Sequence, residues 1–414
     1  MLTTTGSLNG PAGEWRQDRT TRGHGGAADG PGTPPSCYTL WVERSGTKGA
    51  HLDEAGVPVK ALVLAGGAGT RLRPITHTSA KQLVPVANKP ILFFVLESLV
   101  AAGVTDIGMI VGDTAAEIEH AVGDGSAWGA RVTYIRQAAP LGLAHAVLTA
   151  EDFLGDDEFV MYLGDNLILD GITSLVDEFR RERPDSQILL VRVPEPQRFG
   201  VAELGADGRV VQLVEKPKQP RSDLALVGVY MFNRSIHQAT HAIKPSDRGE
   251  LEITDAIQWL VDNGHDVRSH MITGWWKDTG RLEDLLEANR QVLDSLEPSI
   301  QGTVDGESRI EGKVVVQRGA SIERSTVRGP AIIGERTRIV DSYVGPFTSI
   351  YFDCLVDSAE IENSVVLEQC SIRDLRRIES SLIGKNVEVC RVDERPRAYR
   401  LMLGDHSRVG VITE

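Results

Sequence analysis

Leu64-Ala65-Gly66-Gly67-Ala68-Gly69-Thr70-Arg71-Leu72-Arg73-Pro74 decides how this chain is read. It follows Lys60–Leu64, an apolar run that reads as a buried parallel strand. A strand ending in glycines lets backbone N–H groups crowd around an anion, because no Cβ blocks the approach. Arg71, just past the glycines, offers a forked cation suited to phosphate oxygens. The stretch predicts a nucleoside triphosphate cradle at the carboxyl end of a strand, made by Ala65, Gly66, Gly67, Gly69 and Thr70. Its spacing fits neither of two common glycine-rich phosphate loops. There is no Gly-Lys-Ser/Thr of a P-loop, and the dinucleotide fingerprint opens directly into a helix. Here Arg73-Pro74 and Ser79-Ala80-Lys81-Gln82-Leu83-Val84-Pro85 intervene before the first helix near Lys89, so the two prolines predict an extended loop.

Downstream, short apolar runs alternate with helical patterns. Strands are expected at Ala61–Leu64, Ile107–Val111, Val132–Ile135, Phe159–Leu163 and Ile188–Val193, with helices between them at Pro90–Ala102, Thr114–Val122, Leu143–Phe153 and Ser174–Arg183. Pro90 suits a helix first turn, and Gly103 ends that helix. This alternation predicts an α/β fold with a Rossmann-like, mostly parallel, doubly wound sheet that binds ligands at its strands' carboxyl ends. Gly200–Glu203, Val210–Val214 and Leu226–Phe232 then cluster without helices, which predicts an antiparallel or mixed region over the cleft. Helices near Leu251–Asn263 and Arg281–Leu296 close the domain, expected over residues 57–297.

After Pro298 the texture becomes a repeat. Aliphatic residues recur at Ile310, Val316, Ile322, Val327, Ile333, Ile339, Val344 and Ile350. A step of five or six fits neither a helix nor a two-residue alternation. It fits the triangular coils of a parallel β-helix, with one aliphatic side chain per side. A larger echo supports this: Ile322-x-x-Ser325-x-Val327 returns from Ile339, Ile361 and Ile378. The β-helix is expected over residues 298–391, with a polar tail over 392–414. Residues 1–56, rich in Gly, Thr and Pro, read as a disordered extension.

Composition narrows the partners. A formal net charge of −14 argues against nucleic acid, whose phosphates call for basic surfaces. Cys37, Cys354, Cys370 and Cys390 lack zinc-ligand spacing and read as buried or free thiols in a reducing cytoplasm. No apolar run is long enough to span a bilayer, and the amino terminus lacks a signal-peptide core.

With these stretches laid out, the chain resembles the sugar-1-phosphate nucleotidyltransferases, in their longer form with a carboxyl-terminal left-handed β-helix of hexapeptide type. The resemblance covers residues 58–296 and the repeats; the leading segment has no counterpart in it. It implies transfer of a thymidylyl group from dTTP to glucose 1-phosphate, giving dTDP-glucose and pyrophosphate. Such chemistry must hold two highly charged reactants together and neutralise charge on the phosphoryl group.

By that resemblance Arg71 grips the triphosphate and Lys81 reaches the phosphates near the α-phosphorus. Asp165, in Tyr162-Leu163-Gly164-Asp165-Asn166, sits where a strand ends and would hold Mg²⁺ with phosphate oxygens. Asp278, in Trp276-Lys277-Asp278-Thr279-Gly280, is the second metal carboxylate that the resemblance implies. By composition alone, Gly-Asp-Asn would be an ordinary turn. Lys216 in Val214-Glu215-Lys216-Pro217 is implied as a sugar-phosphate ligand and catalytic cation, with Glu215 on sugar hydroxyls. Arg248 matches a further phosphate contact, although its acidic neighbours also suit a helix first turn. Gly200 and Tyr230 match sugar-pocket positions; Tyr230 would serve equally as a core tyrosine. Gln82 and Gln137, with Gly142, match positions that read thymine, and a glutamine amide suits an imide edge. Uracil shows the same edge, so UTP stays open as the substrate. His145 reads as packing or ribose-side.

Two rivals come from other classes. An acyltransferase would need a histidine base on the coils, and between Ile300 and Glu414 the sequence holds only His406, in the tail. A regulatory subunit of the same fold should have lost part of the charged set, yet Arg71, Lys81, Asp165, Lys216 and Asp278 are all present. The β-helix is then expected to serve packing or assembly into a homo-oligomer.

Overall fold

The strand before the glycines is the middle of the parallel part of the sheet. In a computed structural model the chain is described at residues 58–67, 69, 72, 73, 75 and 80–391. Thr70, Arg71, Cys37, the extension expected over 1–56 and the tail expected over 392–414 lie outside the described residues. The order is β1 (Val59–Leu64), α1 (Ile91–Ala101), β2 (Asp106–Val111), α2 (Ala115–Val122), β3 (Arg131–Arg136), α3 (Leu143–Thr149), β4 (Glu158–Leu163) and β5 (Asn166–Ile168). There follow α4 (Thr173–Glu182), β6 (Ser186–Arg192), β7 (Gly200–Leu204), β8 (Val210–Glu215), β9 (Leu224–Phe232), α5 (Ser235–Ala242) and α6 (Ile253–Asp262). β10 (Val267–Met271), β11 (Trp276–Asp278) and α7 (Leu282–Ser295) complete this part.

Nine strands form one sheet along β8-β7-β9-β4-β1-β2-β3, with β6 on β9 and β10 on β6. β3, β2, β1 and β4 run parallel, while β9 is antiparallel to both β4 and β6. Successive strand residues face opposite sides. Val63, Met109 and Val160 therefore meet α1, α2 and α4 in one core. Leu62, Ile110 and Phe159 meet α3, α5 and α6 in the other. Two apolar layers on one sheet make the fold doubly wound, as expected.

Local departures have local causes. Pro90 stands just before α1 instead of in its first turn, because Lys89-Pro90 pairs with Pro85-Val86 as a hairpin. The two residues at its tip, Ala87 and Asn88, have φ of +47° and +59°. Such a turn follows strand twist but disfavours alanine, at roughly 1–2 kcal/mol for the left-handed conformation. The single helix expected over Leu143–Phe153 is two, ending at Thr149 and resuming over Glu151–Leu154. Thr149 Oγ1 donates to the His145 carbonyl (2.8 Å), a back-bond that bends helices. α5 and β10 were not expected; Ser235–Ala242 is too evenly mixed to show a helical stripe.

From Ser299 the chain coils into three parallel sheets of six, six and five short strands. Neighbouring coils stack like on like: Val316 beside Ile333, Ile322 beside Ile339 and Val327 beside Val344. These side chains fill the one core of the parallel β-helix that the period predicts, left-handed as the resemblance implies. The larger echo spans two faces, however. Ile322 and Ile339 stack in one sheet, and Ile361 and Ile378 in another. Ser325 and Ser342 continue as a ladder, each hydroxyl accepting an N–H from the next coil. Corners carry left-handed residues such as Asp341, Phe347, Asp353 and Ser358. Cys354 and Cys370 are buried free thiols and Cys390 an exposed one.

Outward-facing Val315 and Ile332 of the β-helix pack on Leu285, Ala288 and Val292 of α7. The same cluster takes in Leu72, Val84, Val86 and Ile91, which flank the loop after the glycines. The β-helix is thus packed against the segment that leads into the site.

Candidate active site

Three strands deliver their carboxyl ends to one place, and glycines let them meet. The Gly66 carbonyl lies 2.9 Å from where a Cβ on Gly112, just after β2, would stand. The Gly164 N–H, just after β4, donates to the Leu64 carbonyl (2.9 Å), and a Cβ there would also come within 2.9 Å of that oxygen. Backbone packs on backbone across β2, β1 and β4, bringing their carboxyl ends to one edge. Gly67 and Gly69 continue that edge, with Gly67 exposed and Ala65 buried beneath.

Lys81 opens a one-turn 3₁₀ segment, Lys81–Leu83, and its side chain is buried. Its ammonium donates to Asp165 Oδ2 and lies 3.8 Å from Asp278 Oδ1. The two carboxylates arrive together because β5 and β11 form an antiparallel ladder that sets Asp278 opposite Asn166. Thr279 clamps the turn, its N–H (3.1 Å) and hydroxyl (2.8 Å) both donating to the Asp165 carbonyl. Asn166 Nδ2 donates to Asp165 Oδ1 (3.0 Å), while its Oδ1 accepts from Gly228 N (3.2 Å) and Trp276 Nε1 (2.8 Å). Burial opposes ionisation of Asp165, but the charge and hydrogen bond of Lys81 outweigh it and hold the carboxyl below its ordinary range.

Two aspartates on one cation supply hard oxygen donors. Among the described residues no third His, Cys, Asp or Glu joins them. That donor set fits a small hard cation completing its sphere with phosphate oxygens and water.

Gln82 lies beside this cluster, 2 % exposed, its Nε2 3.6 Å from the Cβ position of Gly67. No described residue supplies a hydrogen bond to its buried Oε1. Gln137 Nε2 donates to the Gly142 carbonyl (3.3 Å) and lies 2.9 Å from His145 Nδ1. His145, expected as packing or ribose-side, thus touches the glutamine amide itself. Gly142, at φ +110°, is pressed against Leu251, whose carbonyl oxygen would overlap a Cβ there.

The Glu215-Lys216 corner forms where β8 meets β7, Glu215 pairing with Gly200. Lys216 has φ +41°, and its ammonium reaches Glu215 Oε1 (3.1 Å). Thr254 Oγ1 donates to Glu215 Oε2 (3.3 Å). Arg248 bonds Glu252 at 2.8 Å and Glu250 at 3.1 Å, and approaches Glu215 at 3.5 Å. Glu252 stands at the N-cap position of α6 without a side-chain cap, so Arg248 ties the start of α6 to the Glu215 corner. Tyr230 is 4 % exposed and stacks on Phe232, so it is a core tyrosine. Burial, then the Glu215 charge, pushes its hydroxyl upward. Sequence reasoning missed Asn166 as a holder of Asp165, along with Gly112, Gly228, Thr254, Thr279 and Glu252. Gly112, Gly228 and Thr254 meet partners remote in sequence, whereas Asn166 and Thr279 carried a signal as neighbours of the expected aspartates and Glu252 as the residue four after Arg248.

A doubly wound sheet whose carboxyl edge gathers glycine backbone, a buried lysine and paired carboxylates defines a class of enzymes that handle nucleoside phosphates. The family model for nucleotidyl transferases matches residues 60–295, and the chain belongs to that family. Over 353 residues it is 60 % identical to a glucose-1-phosphate thymidylyltransferase of Streptomyces griseus, across 85 % of this chain and 99 % of that protein. It is also 60 % identical to a glucose-1-phosphate thymidylyltransferase of Streptomyces antibioticus over 354 residues, again 85 % of this chain and 99 % of the other. A crystal structure from Bacillus anthracis, titled a glucose-1-phosphate thymidylyltransferase in complex with a sucrose, superposes with a TM-score of 0.54. It is 35 % identical and covers 58 % of this chain and 97 % of its own.

Proposed function

We propose that the chain transfers a thymidylyl group from dTTP to glucose 1-phosphate. A phosphate oxygen of the sugar attacks the α-phosphorus in line, the bond from that phosphorus to the bridging oxygen breaks, and pyrophosphate leaves with dTDP-glucose as product. The attacking oxygen is already anionic near neutral pH, so the site needs cations and positioning more than a base. The convergence of Asp165 and Asp278 on Lys81 beside the glycine-bearing strand ends carries this reading.

Lys81 neutralises charge near the α-phosphorus, and Arg71, outside the described residues, takes the triphosphate. The loop residues Ala65, Gly66, Gly67, Gly69 and Thr70 line the nucleotide. Gln82 and Gln137 read the base, with Gly142 letting its loop pack closely on Leu251. Lys216 and Arg248 take the sugar phosphate, Glu215 the hydroxyls, with Gly200 shaping the pocket. Asp165 and Asp278 hold Mg²⁺, which when bound supplies charge neutralisation on the phosphates.

The enzyme works in the cytoplasm, a setting suited to its nucleotide substrate and its free Cys354, Cys370 and Cys390. Its partners are small-molecule substrates, dTTP and glucose 1-phosphate, and a net charge of −14 disfavours nucleic acid. The β-helix faces assemble it into a homo-oligomer. Truncation after Leu296 with an unchanged assembly state in light scattering would refute that role.

The test is pyrophosphate release from glucose 1-phosphate with dTTP, UTP, CTP, ATP and GTP, with Mg²⁺ and with chelator. Preference for dTTP, lost on chelation, is expected. Preference for UTP would make it a uridylyltransferase; a purine preference would overturn the base site, and silence with all five would leave a regulatory subunit.

A further inference from the structure

The loop that carries Lys81 and Gln82 is tied at its downstream end to the β-helix. Val84 N donates to the Lys81 carbonyl (3.2 Å) and Ile91 N to the Val84 carbonyl (3.3 Å), so the one-turn segment is continuous with the hairpin Pro85-Val86/Lys89-Pro90. At the hairpin tip the Ala87 N–H donates to Asn289 Oδ1 (2.8 Å), and Asn88 Nδ2 donates to the Ile350 carbonyl of the β-helix (2.8 Å). Asn289, on α7, is 0 % exposed. Its Oδ1 also accepts from Ser349 Oγ (2.6 Å), and its Nδ2 donates to the Phe347 carbonyl (3.0 Å). One buried amide thus joins the hairpin, α7 and a β-helix coil.

The upstream end is touched too. Ala80 N donates to Glu117 Oε2 (2.6 Å), and Glu117 Oε1 lies 3.8 Å from Lys385 Nζ in the final coils. Ile75 Cδ1 lies 3.2 Å from where a Cβ on Gly384 would stand. Buried, directional amide bonds hold geometry more strictly than apolar contact does, because any slip leaves a desolvated polar group.

We propose that the β-helix fixes the Lys81-Gln82 segment through Asn289 and Asn88, which are positioning residues for nucleotide binding. The inference rests on the nucleotide role proposed above for Lys81 and Gln82. It gives the carboxyl-terminal coils a part in the reaction besides packing. Among the described residues the Gly200, Glu215 and Lys216 corner has none of these ties, so the effect is confined to one substrate.

The experiment uses the full chain, with Asn88→Gly and Asn289→Ala measured beside Lys81→Ala. Glycine keeps the left-handed turn at position 88 while deleting the amide, so Asn88→Gly carries the test should Asn289→Ala not fold. Steady-state kinetics should show the nucleotide KM rising about tenfold or more, with the glucose 1-phosphate KM nearly unchanged. Hydrogen exchange should show the Ala87 amide losing protection in Asn289→Ala. An unchanged nucleotide KM, or both KM values rising together, would overturn the inference while Lys81→Ala remained inactive. Full activity of Lys81→Ala would instead overturn the site reading itself.

Discussion

Asp278 stands opposite Asn166 in the short ladder between β11 and β5, and this pairing sets the Asp278 carboxylate 3.8 Å from the ammonium that Asp165 already binds. Residues more than a hundred positions apart are brought to one cation by three rungs of backbone pairing. Asn166 turns inward to hold Asp165, and Asp278 takes the neighbouring place.

Removing either carboxylate should cost activity more than stability. Asp165→Asn and Asp278→Asn are each expected to lower kcat by about 10²-fold or more, the scale of losing one preorganised electrostatic partner. Circular dichroism and a melting curve should show the fold retained. The pyrophosphate assay at saturating substrates checks the activity.

Gly228 has no room for a methyl group. A Cβ there would come within 2.6 Å of Asn166 Cγ. Gly228→Ala should destabilise the protein by about 1–3 kcal/mol, typical of overpacking, and lower activity by shifting the residue that holds Asp165. Urea unfolding and kcat measured on one preparation test both effects.

Two further glycines should separate the substrates. At Gly142, with φ +110°, a Cβ would run into the Leu251 carbonyl. At Gly200 it would meet Thr254 Cγ2 at 2.6 Å and Glu215 Oε2 at 3.2 Å. Gly142→Ala should raise KM chiefly for the nucleotide, and Gly200→Ala chiefly for the sugar phosphate. Isothermal titration with each substrate alone decides the assignment, and equal losses on both sides would refute it.

Acid should release the Lys81–Asp165 pair. Burial opposes the Asp165 charge, yet Lys81 prevails and depresses the carboxyl, so between the two pKa values the unfolded chain holds more protons here. The pair's stabilisation is therefore present above the unfolded value of about 3.9 and lost as pH falls through the lower folded one. Asp255 runs the other way: burial, then Glu252 and Glu215, raise its carboxyl, so its effect on stability falls as pH rises through that higher value. Unfolding midpoints of Asp165→Asn against the parent should differ at neutral pH and converge in strong acid. A constant gap would refute the depressed carboxyl.

Much of the site was legible from residue types at fixed spacing. Strand, glycine run and cation occur in sequence, and Gly164-Asp165-Asn166 follows an apolar strand by simple adjacency. The break in α3 was not legible, because it turns on a Thr149 hydroxyl choosing the His145 carbonyl. Nor was the second face of the repeat: Ile322 and Ile361 look alike in sequence but lie in different sheets, which only counting coil corners reveals.

By itself the chain's amino-acid order determined the parallel strands, the triangular coils and the kinds of side chain at the strand ends. Those follow from short-range period and from the chemistry of single residues. The tertiary structure alone decided that Asp278 joins Asp165 at Lys81, that Thr279 clamps the Asp165 carbonyl, and that Asn289 links the hairpin to the β-helix. Hydrogen bonds between groups whose backbones meet only after packing leave no local pattern, since their geometry exists only once those elements are in place.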